Sequence, residues 1–246
     1  MSIKNFKLTI QYDGTSYSGW QIQKDQDTIQ GKLKDCIGKI ARQDNVNVVG
    51  SGRTDSGVHA LGQVANFKID TNMDEEDLRK AINANIPKNI KVVNSEIVDE
   101  KFNSRFSAKK REYIYKVKKV LSPFDYKYYW LYKYDINIDT LNKCAAIILE
   151  NKDFSNFCRK SPDIEDYSCS IYKSLWSIEN NVLEYNVKAN RFLHHMVRML
   201  VGTMLEVSRG RLQIEEFEKM LNNNIGSKKI LTAPAMGLYL YKVYYD

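Results

Sequence analysis

Between residues 50 and 64 the chain reads GSGRTDSGVHALGQV, which sets glycines, one arginine, one aspartate and one histidine between two apolar stretches. Gly50, Gly52, Gly57 and Gly62 allow backbone angles closed to other residues and mark a tight loop that something approaches closely. Arg53 and Asp55 are the charged groups within it. The Gly52 to Gly57 spacing fits a phosphate-binding loop, but Val58 and His59 stand where Lys and Ser or Thr are required. A dinucleotide fingerprint starting at Gly50 fails too, because Asp55 takes the third glycine position. No serine-hydrolase elbow and no H-E-x-x-H helix accompanies the loop. A lone aspartate remains, two residues after an arginine. Such a carboxylate suits nucleophilic or general-base work without a metal. Its free pKa of ~3.9 keeps it ionised at neutral pH unless burial raises it, and Arg53 or Arg198 could offset that burial. A surface pair between Arg53 and Asp55, with no chemistry attached, is the competing account of the same residues.

The elements around the loop follow from periodicity. FKLTIQY at 6 to 12 alternates as a strand. Ile29, Leu33, Cys36, Ile37 and Ile40 form one stripe of an amphipathic helix, with Thr28 as its N-cap. A strand at 46 to 49 leads into the loop and QVANFKI leaves it. A helix from Asp74 to Asn85 with acids in its first turn and a strand at 91 to 98 follow. The second half repeats the order: strand 112 to 118, helix 139 to 150, strands near 173 to 179 and 182 to 188, helices at 191 to 208 and 214 to 222, and a closing strand, GLYLYKVYY. Each half reads β-α-β-β-α-β, the split βαβ or ferredoxin-like pattern. The expected fold is therefore α+β, two ferredoxin-like halves with a mostly antiparallel sheet. The boundary falls near 100 to 111, and the halves are taken as 1–105 and 106–246.

At that boundary the charge clusters. Lys101 to Val120 holds eight Lys and Arg against one acid, Glu112, within a chain of net charge +7. A phosphate-tracking surface is the sharper account and a solvated linker the bland one. Tyr113 and Tyr115 share one face of the next strand, and a ring beside basic charge can stack on a base. YKYYWLYKY at 126 to 134 is also aromatic and basic, but no periodicity orients it, so its rings are expected to pack on the sheet. NRFLHHMVRMLVGTML at 190 to 205 reads as a helix that is apolar nearly all round and hence buried, with Arg191, His195 and Arg198 on one face. A buried Arg198 needs an anionic partner. Cys36, Cys144, Cys158 and Cys169 lack C-x-x-C spacing, so a structural zinc site is not expected. No signal-peptide segment and no membrane-length apolar run stands out, and a soluble cytoplasmic protein with reduced thiols is expected.

Several stretches together resemble one family. GSGRTDSGVHALGQVANF is similar to the catalytic loop of the tRNA pseudouridine synthase A family, TruA. YDGTSYSGWQIQ at 12 to 23 with TIQGKL after it, SRFSAKKREYIY at 104 to 115, RFLHHMVRMLVG at 191 to 202 and LTAPAMGLYL at 231 to 240 look like its other motifs. Ser51 and Ser56 stand where the family often has alanine, and 151 to 172 matches more weakly. The resemblance implies isomerisation of uridine to pseudouridine in the anticodon arm of tRNA, at uridines 38, 39 and 40, without cofactor or metal. It implies Asp55 as the catalytic nucleophile, Tyr113 stacking on the target base and Arg198 pairing with Asp55. It further implies Arg53 helping to hold the nucleotide out of its helix and Leu238 lining the uracil pocket. The family's two halves flank a basic cleft and work as a homodimer. A noncatalytic tRNA-binding or folding module with the same fold is the alternative, and a small-molecule hydrolase a more distant one.

Overall fold

The computed structural model describes residues 2–162, 164–222 and 230–246. The chain forms two compact units, Met1–Lys109 with Leu240–Asp246, and Lys110–Tyr239. Among the described residues no helix is long and apolar enough to cross a membrane.

The first unit runs β1 (Ser2–Tyr12), α1 (Ile29–Ala41), β2 (Val49–Gly50), β3 (His59–Thr71), α2 (Glu75–Asn85) and β4 (Ile90–Val98), the β-α-β-β-α-β order expected from periodicity. β1 lies between β3 and β4 and is antiparallel to both, with Phe6 opposite Phe67 on one side and Ile97 on the other. Phe6, Leu8 and Ile10 point to one face and are fully buried, as strand alternation requires. α1 starts at the cap foreseen, the Thr28 hydroxyl accepting from the Gly31 N–H. Its stripe of Ile29, Leu33, Cys36 and Ile37 is buried, while Ile40 is half-buried. α2 is capped by Asp74 and carries Glu75, Glu76 and Asp77 at its positive end. The strand expected at 46 to 49 shrinks to the two residues of β2, although Val46 and Val48 are still buried beside it.

The second unit holds β5 (Lys110–Lys118), β6 (Trp130–Leu131), α3 (Ile138–Glu150), β7 (Ile171–Glu179), β8 (Val182–Ala189), α4 (Met196–Ser208) and α5 (Ile214–Leu221). β8 lies between β5 and β7, antiparallel to each. Asn180 and Asn181 close the β7–β8 hairpin with φ of 50° and 61°, the positive angles that a two-residue turn of matching twist demands. The aromatic stretch at 126 to 134 packs only in part as expected: Trp130 meets Tyr115 and Tyr132 edge-on with centroids 6.2 Å and 5.1 Å apart, whereas Tyr126 and Tyr134 stay exposed. In 151 to 172, Phe154, Phe157, Cys158 and Cys169 are buried; Asp163 lies outside the described residues. The last strand, β9 (Leu238–Tyr244), enters the first unit from Leu240 onward, where it lies beside β3. The fold is α+β with mostly antiparallel pairing.

The helix expected from residue 191 begins only at Met196. The Asn190 side-chain oxygen accepts from the Ser170 and Arg191 N–H groups, and His195 sits at φ 64°, outside the helical region. Arg191 and His195 therefore do not share a helix face with Arg198. From Met196 on, the burial reading holds, with nine residues of α4 buried.

Candidate active site

Asp55 stands in the loop that joins β2 to β3, and the turn-rich segment after β1 grips that loop from outside. Gly19, at φ 90°, lies so close that a Cβ there would fall 2.5 Å from the Thr54 carbonyl oxygen and 3.1 Å from the Ser56 nitrogen. Gly14 lies equally close to Val58, a Cβ falling 2.0 Å from its carbonyl oxygen. Only residues without side chains let the two backbones meet. Hydrogen bonds hold the contact: the Trp20 N–H donates to the Thr54 carbonyl at 3.1 Å, and the Gly57 N–H and Ser56 hydroxyl donate to the Tyr17 carbonyl at 3.3 Å and 3.1 Å.

Beneath the loop lies a buried polar network that sequence reading missed. Gln63 of β3, wholly buried, accepts from the Ser51 hydroxyl at 2.7 Å and donates to the Gly52 carbonyl at 3.0 Å. Tyr12, at the end of β1, shares a 2.8 Å hydrogen bond with the Thr54 hydroxyl. Burial pushes the Tyr12 phenol far up, against the smaller pull of the bonds to Thr54 and Gln63, so it stays protonated. Each residue from Ser51 to Thr54 except Arg53 is thus tied down from below or from the side. Asp55 itself is half-buried, whereas Arg53 is exposed. Among the described residues no ion pair joins Arg53 to Asp55, so a plain surface pair does not account for the loop.

Tyr113, Arg198 and Leu238 all belong to the second unit. Tyr113 projects from β5, is 9% exposed and meets the Phe192 ring edge-on at 5.0 Å. Arg198 is half-buried on α4, where its Nε donates to the Ala233 carbonyl at 2.7 Å and its own carbonyl accepts from the Ala233 N–H at 3.0 Å. One helical turn on, Gly202 lets the same segment pass, since a Cβ there would fall 2.1 Å from the Leu231 carbonyl oxygen. The Tyr115 hydroxyl donates to the next carbonyl, Pro234, at 2.7 Å. Burial drives the Tyr115 phenol well up, while the Arg198 guanidinium pulls the other way. The run 231–234 is thereby fixed to α4 and β5, just before Leu238, which is buried at the start of β9.

A family model described as tRNA pseudouridine synthase matches residues 8–107 and 149–246, most of the chain. The chain belongs to the tRNA pseudouridine synthase family. Relatives of that name agree along their whole length: tRNA pseudouridine synthase A of Bacillus pumilus (strain SAFR-032) is 37% identical over 98% of both chains. That of Geobacillus sp. (strain WCH70) is 36% identical over 99% of both. The one from Lacticaseibacillus casei (strain BL23) is 37% identical over 98% of this chain and 99% of its own. The tRNA pseudouridine synthase match includes the aspartate loop with Arg53, and also Arg198 and Leu238, while Tyr113 falls between the two matched stretches.

Proposed function

We propose that this isomerase, a tRNA pseudouridine synthase, converts uridines 38, 39 and 40 of the tRNA anticodon arm, with Asp55 as the nucleophile. The observation that carries the reading is the loop itself: a half-buried carboxylate on a backbone gripped by Gly14 and Gly19 and held from below by Tyr12 and Gln63. Such fixing lowers the cost of bringing an attacking group to its target. The reaction breaks the bond between N1 of uracil and C1′ of ribose. The freed base turns, C5 bonds to C1′, C5 gives up its proton and N1 takes one. Product and substrate hold the same atoms, so no co-reactant is consumed.

An enzyme working on a stacked base must first extrude it at a cost of a few kcal/mol. Arg53 helps to keep the nucleotide out, Tyr113 stacks on the target base, and Leu238 supplies an apolar wall to the uracil pocket. Arg198 pairs with Asp55. The enzyme acts in the cytoplasm as a homodimer. The decisive experiment is Asp55→Asn on an unmodified tRNA transcript, with pseudouridine mapped by carbodiimide adducts and primer extension. Product at 38–40 is expected to form roughly 10⁶-fold more slowly, the scale seen when a nucleophile is removed. Formation at the wild-type rate would remove Asp55 from the mechanism.

A further inference from the structure

We propose that the Arg105–Phe106 turn of the first unit is a stacking site for an unpaired base of the RNA substrate. The inference rests on the tRNA reading above and names a contact beyond the residues already assigned to it. Phe106 is 78% exposed, a large aromatic ring presented to water. Its mount is nonetheless rigid. Ser104, fully buried, commits every polar atom to it: its N–H donates to Asn66 Oδ1 at 2.8 Å, its hydroxyl to the Val49 carbonyl at 2.5 Å, and its carbonyl accepts from the Tyr245 hydroxyl at 2.9 Å. Asn103 Oδ1 then accepts from the N–H groups of Arg105 and Phe106 at 3.0 Å and 3.1 Å, closing the turn.

The Val49 anchor lies in β2, directly before the aspartate loop, so the ring is tied to the base of that loop. The Arg105 guanidinium lies 5.5 Å from the centre of the Phe106 ring. From Lys101 to Lys109 there are three cations, Lys101, Arg105 and Lys109, all exposed, and no acid. An exposed ring on a stiff support amid positive charge suits a flat, uncharged face carried on a polyanion, which is a nucleobase. A protein partner would need no such charge bias. Because the turn is already ordered, little freedom is lost when a base stacks on it.

The test compares Phe106→Ala, Phe106→Leu and Phe106→Trp for tRNA affinity at fixed salt, thermal midpoint and oligomeric mass. Loss of one stacked base is expected to weaken affinity roughly 5- to 100-fold in Phe106→Ala. Phe106→Leu should lose nearly as much, having no π face, and Phe106→Trp should bind within about twofold of wild type. The salt slope and the thermal midpoint should not move, since no phosphate contact or core packing is removed. Undiminished affinity in Phe106→Ala, or full affinity in Phe106→Leu, overturns the proposal. A changed oligomeric mass with unchanged affinity overturns it as well and makes the ring an interface between copies. Product formation by the wild-type protein, read in the same samples, keeps the tRNA reading separate from this one.

Discussion

Gly19 shows how one missing side chain serves the aspartate. An alanine there meets two penalties: a φ of 90° that L residues avoid, and a Cβ 2.5 Å from the Thr54 carbonyl oxygen. Gly210 separates them, since at φ 76° it has nothing within 4 Å. Gly210→Ala is expected to cost about 1 kcal/mol in denaturant unfolding and to leave single-turnover pseudouridine formation unchanged. Gly19→Ala is expected to cost roughly 3 kcal/mol and to slow that step far more than it weakens tRNA binding, because the Thr54–Ser56 backbone must shift. Equal activity in both variants would show that the close approach does not set the loop. At this scale the aspartate was legible in sequence, because glycines and an arginine isolate it. Gln63 and Tyr12 were not. A glutamine inside a strand reads as a polar interruption, and only the fold brings it under Gly52. Phe106 was hidden among the basic residues counted around it, because nothing local says that its neighbour Ser104 is bolted down by partners from three other segments.

Elements differ in how far their own residues decide them. Thr28 with its stripe and Asp74 with its acids are local devices, and both were readable; the Asn180–Asn181 turn is equally local but was not singled out. The entry to α4 is not local: NRFLHH has helical spacing, yet the Asn190 bond to Ser170 comes from a residue twenty positions away. Tertiary pairing overrides propensity there. Burial by elements also leaves a chemical signature. Cys144 in the core of α3 and Cys169 before β7 have thiols pushed up to about 12 by burial. The folded state thus holds these protons where the unfolded chain, with thiols near 9, has released them. Their contribution is complete below pH ~9 and is lost as pH rises toward ~12, by at most about 1.4 kcal/mol per pH unit for each thiol. The buried phenols of Tyr12 and Tyr185 act in the same direction. Denaturant midpoints measured upward from pH ~8 are expected to fall steadily above pH ~9. A Cys144→Ala, Cys169→Ala double variant should show the shallower slope, and an identical slope would refute the assignment.

For the molecule as a whole, net charge +7 and the cations from Lys101 to Lys119 predict binding governed by counterion release. Each pair of phosphates contacted should lower tRNA affinity roughly tenfold between about 50 and about 200 mM salt. Fluorescence anisotropy across that range checks this, and an affinity indifferent to salt would argue against a polyanionic substrate. The division into units was partly legible, since the order of elements implied two halves. What element order does not carry is that the last residues return to the first unit. From Leu240 the chain runs beside β3, where Gly62 has no side chain to keep it from the Tyr241 carbonyl, and Tyr245 completes the Ser104 anchor. On the ribosome these residues emerge after every residue of the second unit. The nascent chain therefore has all of its second unit while the first, bearing Asp55, still lacks a strand. The strand that flanks β3 is thus synthesised only after the whole second unit, so the sheet of the first unit stays open along that edge until the second unit has been made.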